Sequence, residues 1–142
     1  MYFESIKDMA NGEPLTLTIK GECMAGTLPD GGRVQVEKRD LYWPGDVIVY
    51  ARLDDTMVSH RLLGYAHRGR GWLAITRADQ SEVADRPFST SRILGKVIRT
   101  DGKTISVSTR QRALAVSGYW QFLTGWFRRK LSKVFAFSIP NR

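Results

Sequence analysis

Residues 15–29 carry the sequence LTLTIKGECMAGTLP, in which a strand-like run gives way to a turn. Apolar and polar residues alternate over the first five positions, as they do in a half-buried strand. Gly21 and Gly26 then allow the backbone to turn tightly on either side of Cys23. A turn of this kind exposes a side chain, so Cys23, the only cysteine, is a candidate nucleophile. A lone cysteine is also often a small buried apolar residue, so this interpretation depends on the rest of the chain.

Short strand patterns separated by turn signals surround and follow this stretch. They predict seven strands, at residues 15–19, 33–37, 46–51, 57–63, 72–76, 92–99 and 104–108. Turn sequences rich in Gly, Pro and Asp separate the strands, and an amphipathic helix is predicted before them at residues 3–10. The predicted fold is mainly β: a small coiled antiparallel β-barrel or sheet system with a short N-terminal helix and a C-terminal amphipathic helix.

Charge is distributed unevenly along the chain. Of its 142 residues, 22 are basic and 14 are acidic, which gives a formal net charge of +8. Residues 1–109 contain 15 of the basic residues and all of the acidic ones, so we divide the chain into a β domain at 1–109 and a basic, aromatic tail at 110–142. The near-neutral β domain argues against a nucleic-acid partner. The single cysteine excludes an internal disulfide and a Cys-rich zinc site, and no metal or cofactor is predicted.

Polar residues in two later segments can supply the partners that a nucleophilic thiol needs. His60 lies on a predicted strand, and Asp79 and Asp85 follow another. A thiol is deprotonated by an imidazole within hydrogen-bond reach, and a third group on the other ring nitrogen fixes the tautomer of that imidazole. The alternative is that His60 is a structural strand histidine and that the aspartates cap turns.

Five sequence boxes occur in one order along the chain. They are GECMAGT at 21–27, PGDVIV at 44–49, VSHRL at 58–62, TRADQS at 76–81 and LGKV at 94–97, with Asp85 six residues after Asp79. Their order and content resemble the signal peptidase family, in the branch of archaea and of the eukaryotic endoplasmic reticulum that uses histidine. The corresponding boxes there are Gly-x-Ser-Met-x-Pro-Thr, Pro-Gly-Asp with an apolar run, Val-His-Arg-apolar, Thr-Lys-Gly-Asp with a later aspartate, and apolar-Gly-Lys-Val. The resemblance covers about residues 15–99.

This resemblance assigns a role to each candidate residue. It implies that Cys23 is the nucleophile, His60 the general base and Asp85 the third member of the triad, with Asp79 as a supporting carboxylate. The backbone N–H of Cys23 is the expected oxyanion donor. The resemblance further implies that an extended peptide substrate adds beside the strand ending at Lys20. The predicted substrate-binding residues are Ile19, Lys20, Gly21, Glu22 and Met24.

The chain also departs from the family pattern. Cys23 replaces the serine, Gly26 the proline and Ala78 the glycine of the boxes, and no transmembrane helix precedes them. Cys23 is then a natural thiol nucleophile, an engineered replacement of serine, or a relic in a protein that no longer cleaves. The predicted function is cleavage of a protein or peptide precursor through an acyl-enzyme. The alternative is an inactive peptide-binding or scaffold protein on the same fold.

The tail combines aromatic and basic residues. Residues 113–127 are uncharged and rich in aromatics, and a basic cluster follows at Arg128, Arg129, Lys130 and Lys133. This composition is typical of a helix lying in a membrane interface, so residues 113–139 are expected to contact an anionic membrane surface. The alternatives are packing on the β domain or on a second copy of the chain in a homodimer. We expect a cytoplasmic protein, peripheral on the inner face of the membrane.

The remaining notable residues receive structural roles or none. Arg61 follows His60 on the same strand, so it must point to the opposite face, where an ion pair is expected. His67 lies in a predicted hairpin tip and is assigned no role. Four aromatic residues are expected to pack in the core or in turns: Trp43, Tyr50, Trp72 and Phe88.

Overall fold

One antiparallel sheet is the centre of the fold. A computed structural model describes the backbone of residues 2–136 and the side chains of residues 3–130. Along this part of the chain the elements are α1 (Tyr2–Met9), β1 (Leu15–Thr18), β2 (Arg33–Glu37), β3 (Val47–Ala51), β4 (Met57–Arg68), β5 (Gly71–Arg77), β6 (Phe88–Ser89), β7 (Ile93–Thr100), β8 (Lys103–Thr104) and α2 (Thr109–Ala136). A single turn of 3-10 helix at Thr90–Arg92 precedes β7.

The strands of residues 2–136 form a curled half-barrel. Their order is β1-β2-β7-β3-β4-β5-β6, with β8 paired to β7, and each pairing is antiparallel. The predicted mainly β fold with one helix at each end is therefore confirmed. β1 lies at one edge of the sheet, so its outer side has no strand partner within the described chain.

The sheet buries different residues on its two faces, because successive side chains of a strand point in opposite directions. Val47, Val49 and Ala51 of β3 belong to a cluster that also includes residues of α1, β2 and β7. Ile48 and Tyr50 of the same strand belong to a second cluster on the other face. All five positions of β3 are buried, which makes it a central strand of the fold.

Two predicted strand boundaries are wrong. β4 continues to Arg68, whereas the pattern had indicated an end at residue 63, before Gly64. Gly64 is needed inside the strand because a Cβ there would lie 2.7 Å from the ring of Tyr119 on α2. The strand predicted at 104–108 is limited to Lys103–Thr104, since the chain then leads into α2. The short strand Phe88–Ser89 was not predicted.

The first half of α2 packs on the sheet. Ala115, Tyr119 and Phe122 share a cluster with Leu63 and Ile75. This packing matches one of the alternatives considered for the tail, whereas the second half of the helix is largely exposed up to residue 130. Side chains 131–142, including Lys133, lie outside the described residues. In the described chain, neither helix has the length and apolar character needed to cross a bilayer.

Candidate active site

A buried histidine and an aspartate meet at the centre of the site. β4 presents His60, whose partner across the ladder is Ile48 of β3. The loop after β5 then folds back, and the backbone N–H of Asp85 donates to the carbonyl of Thr76 over 2.7 Å. The result is a distance of 2.6 Å between Nδ1 of His60 and Oδ2 of Asp85. His60 is only 5% exposed and the Asp85 side chain is 24% exposed, so this contact is partly shielded from bulk water.

Two further hydroxyl groups surround this contact. Oγ1 of Thr76 donates to Oδ2 of Asp85 over 2.7 Å. The hydroxyl of Tyr50 lies 3.4 Å from Nδ1 of His60 and 3.5 Å from Oδ2 of Asp85. The ring of Tyr50 stacks on Phe88 with a centroid distance of 3.9 Å. Tyr50 therefore packs as expected, and its hydroxyl has a polar role in addition. Neither the role of Thr76 nor the polar role of Tyr50 is apparent from the sequence, since both depend on the pairing of β3, β4 and β5.

The ionisation of Asp85 determines which group donates in the contact with His60. Burial raises the pKa of Asp85, but hydrogen bonds from His60 and Thr76 outweigh this effect and hold the pKa below its ordinary value of 3.8. Burial raises the pKa of the Tyr50 hydroxyl, which therefore stays protonated at neutral pH. Asp85 is then an acceptor, and Nδ1 of His60 is the donor. In the neutral ring the lone pair remains on Nε2, as a general base requires.

Asp79 has different partners from Asp85. Nε and Nη2 of Arg61 donate to its two carboxylate oxygens, each over 2.7 Å, and Thr27 donates over 2.7 Å as well. Burial raises the pKa of Asp79, and the hydrogen bonds from Arg61 and Thr27 more than reverse the effect, so the pKa is low. Arg61 also donates to the carbonyl of Gly45 over 2.7 Å. The ion pair expected for Arg61 is thus present, and it joins the loops on the face opposite His60.

Cys23 lies in a turn beside the loop that carries Asp79. The backbone N–H of Gln80 donates to the carbonyl of Cys23 over 3.3 Å, and the Gln80 side chain donates to the carbonyl of Ala25 over 3.0 Å. Cys23 is half-buried and packs against the first core cluster. Among side chains 3–130, no hydrogen bond joins the thiol of Cys23 to His60. The structure therefore brings His60 and Asp85 together, whereas Cys23 packs against the first core cluster and, in the described chain, makes no hydrogen bond to His60.

The residues predicted to bind substrate are divided between surface and core. Lys20, Gly21 and Glu22 are exposed, and Ile19 is half-buried. The backbone N–H of Gly21 donates to the carboxylate of Asp30 over 2.8 Å, which fixes the turn after β1. Met24 instead belongs to the core at 1% exposure, and its sulfur accepts a hydrogen bond from the backbone N–H of Asp79.

Comparison with known proteins adds no assignment to this geometry. No protein-family model matches the chain, and a search of curated proteins finds no match. Within the described residues, no group of three or more His, Cys, Asp or Glu side chains is placed to hold a metal ion.

Proposed function

We propose that this protein is a peptidase in which Cys23 is the nucleophile, His60 the general base and Asp85 the group that orients His60. The observation that carries the proposal is the partly buried contact of 2.6 Å between His60 and Asp85. The two residues are 25 positions apart in the chain. His60 belongs to the VSHRL box, and Asp85 lies six residues after Asp79 of the TRADQS box; both boxes resemble those of signal peptidases. A hydrogen-bonded carboxylate on Nδ1 is the arrangement that prepares Nε2 to accept a proton.

The chemistry follows from that arrangement. Nε2 of His60 accepts the thiol proton as Sγ of Cys23 attacks the carbonyl carbon of the scissile peptide bond. The carboxylate of Asp85 stabilises the imidazolium, and the backbone N–H of Cys23 donates to the developing oxyanion. His60 returns the proton to the leaving amine as the C–N bond breaks, which leaves a thioester on Cys23. Water, deprotonated by His60, then hydrolyses the thioester and regenerates the thiol.

The outer edge of β1 is the proposed site for the substrate. An extended segment of the precursor, whether a protein or a peptide, adds there as a further strand, because the edge presents unpaired backbone donors and acceptors. The exposed residues Lys20, Gly21 and Glu22 follow β1 directly and lead to Cys23. A peptide bound along β1 therefore runs toward the thiol.

A covalent peptide probe tests this proposal. A peptide carrying an electrophilic ketone is expected to label Cys23 in the wild type, and peptide mapping by mass spectrometry identifies the site. His60→Ala is expected to slow labelling by about 100-fold or more, because general-base assistance contributes about that much. His67→Ala is the matched control, since His67 is the other histidine and lies exposed on the β4–β5 hairpin. Equal labelling of the two variants contradicts the proposal.

Cys23→Ser distinguishes two origins of the thiol. A site evolved for a thiolate is expected to lose most activity with serine, whereas a site engineered from serine is expected to become faster. Hydrolysis of the same peptide by both forms measures the difference. Equal rates contradict both accounts.

One observation favours a second candidate function. Within side chains 3–130 the thiol of Cys23 makes no hydrogen bond to His60, and it contacts apolar residues. This environment also suits an inactive peptide-binding protein on the same fold. Such a protein would bind an extended peptide beside β1, but its labelling rate at Cys23 would not depend on His60.

A further inference from the structure

The β4–β5 hairpin and the second half of α2 carry similar surface residues. The hairpin turn contributes Arg68 and Arg70, both exposed. The helix contributes Trp126 and Phe127, which are 41% and 57% exposed, and the exposed basic residues Arg128, Arg129 and Lys130. We call these seven residues the basic–aromatic end.

Contacts along α2 show why the two groups lie at one end of the molecule. Arg112 donates to the carbonyl of Pro44, just before β3. Further along, the hydroxyl of Tyr119 donates to the carbonyl of Tyr65, and Phe122 shares a cluster with Ala66. The helix therefore runs beside β4 in the same direction, toward the hairpin turn.

Beyond Phe122 and Ala66, the helix and the strand continue over similar lengths. From Phe122 to Lys130 the helix advances about 12 Å, at about 1.5 Å per residue. From Ala66 to the turn at Gly69 the strand advances about 10 Å, at about 3.3 Å per residue. Both segments thus reach the same end.

The helix face that packs on the sheet continues to this end. Trp126 follows Phe122 by four positions and Tyr119 by seven, so it lies on the same stripe of α2. Its ring is 41% exposed. The ammonium group of Lys130 lies 4.2 Å from the centre of that ring. An apolar ring with a cation beside it is typical of side chains at a membrane interface.

The charge around the basic–aromatic end has one sign. The sequence contains no Asp or Glu in residues 57–78 or after Asp101. Both the hairpin and α2 are therefore free of acidic residues, while residues 1–109 as a whole are close to neutral. The basic residues of this end are all exposed. A planar anionic surface can contact the hairpin turn and the helix end together.

We propose that the basic–aromatic end docks on an anionic phospholipid membrane, with Trp126 and Phe127 in the interface and the hairpin arginines against the head groups. This proposal involves a surface separate from Cys23, His60 and Asp85. Its test needs no peptidase activity, so it stands or fails independently of the proposed function.

Co-sedimentation of the full chain with vesicles tests the proposal. We expect binding to vesicles of phosphatidylcholine and phosphatidylserine at low salt, release at high salt, and no binding to phosphatidylcholine alone. Replacing Arg68 and Arg70 with Gln is expected to weaken binding about 25-fold, because each basic residue near such a surface contributes about fivefold. The matched control replaces Lys103 and Arg110 with Gln, which removes two exposed charges elsewhere and is expected to leave affinity unchanged.

Other outcomes overturn the proposal. If the hairpin variant binds vesicles as tightly as the wild type, the hairpin is not part of the docking surface. If the wild type stays in the supernatant but retards a single-stranded oligonucleotide in a native gel, the basic residues bind a nucleic acid instead. If it stays in the supernatant and forms a dimer that Trp126→Ala with Phe127→Ala disrupts, the aromatic residues serve a second copy.

Discussion

His60 and Arg61 are neighbours on β4, yet each binds a different carboxylate on a different face of the sheet. His60 contacts Asp85 through one nitrogen, with Thr76 and Tyr50 beside it. Arg61 holds Asp79 through two parallel hydrogen bonds, with Thr27 as a third donor. Histidine is a side chain that enzymes use for proton transfer, whereas arginine suits two-point binding of a carboxylate. Alternation along one strand thus separates a pair suited to proton transfer from a pair suited to holding loops.

The largest expected effect is a loss of turnover when the pair of His60 and Asp85 is altered. Asp85→Asn is expected to lower peptide hydrolysis by about 100-fold to 10,000-fold, because an amide favours the wrong tautomer of His60. Thr76 still hydrogen-bonds the amide, so urea unfolding should show a much smaller change in stability. Asp79→Asn is the matched variant, and its larger effect should be on stability. If Asp79→Asn abolishes hydrolysis while Asp85→Asn spares it, the two pairs have been assigned the wrong way round.

The second effect concerns the stability that the pair of Arg61 and Asp79 contributes. Arg61→Met leaves a partly buried carboxylate at Asp79 without its main partner, and we expect a loss of about 3 kcal/mol of unfolding free energy. The double variant with Asp79→Asn removes the unpaired charge and should recover part of that loss. Urea unfolding of the four forms measures the coupling between the two residues. Additive losses would mean that the pair does not hold the loops.

Acid should remove the stability that the carboxylates of Asp79 and Asp85 contribute. The pKa values of Asp79 and Asp85 in the folded protein lie below 3.8, the ordinary value that they regain on unfolding. Their contribution to stability is therefore complete above about pH 4 and is lost as the pH falls through the folded values. Unfolding free energy measured from pH 7 down to acid should decline only below about pH 4. The decline should be shallower in Asp79→Asn and in Asp85→Asn, and equal slopes in all three forms would contradict these pKa directions.

Tyr50 should show the smallest effect. Tyr50→Phe keeps the stacking on Phe88 but removes the hydroxyl near His60 and Asp85. Its hydrogen bonds are long, so we expect a loss of no more than about tenfold in hydrolysis, with a shift of the pH–rate profile. Phe88→Leu serves as the comparison, because it alters the stacking and keeps the hydroxyl. A profile that moves with Phe88→Leu and not with Tyr50→Phe would assign the effect to packing.

The sequence predicted the parts of this arrangement that are encoded locally. Alternating residues and Gly-rich turns indicated the sheet, and the resemblance of the boxes to those of signal peptidases put His60 and Asp85 in one hypothesis. Tyr50 and Thr76 could not be found in this way, since they meet Asp85 only through the register of Ile48 with His60 and of Leu62 with Thr76.

Other expectations failed for a related reason. Trp43 and Trp72 were expected to pack in the core or in turns, and they are 61% and 57% exposed. Trp72 lies near the hairpin tip, outside the three core clusters, and its ring contacts that of His67 edge-on. No local pattern reveals how far a hairpin extends. The same limit applies to Cys23, whose distance from His60 depends on how the turn after β1 meets the loop after β5.

The central claim is that His60 activates Cys23, and the rate of alkylation of the thiol tests it most directly. Iodoacetamide is small and neutral, so its reaction rate with Cys23 reports thiolate formation without substrate binding. We expect rapid alkylation at neutral pH in the wild type and in His67→Ala, with a rate that falls as acid protonates the thiolate. We expect at least tenfold slower alkylation in His60→Ala at the same pH. An unchanged rate in His60→Ala would contradict the account and leave Cys23 a structural thiol.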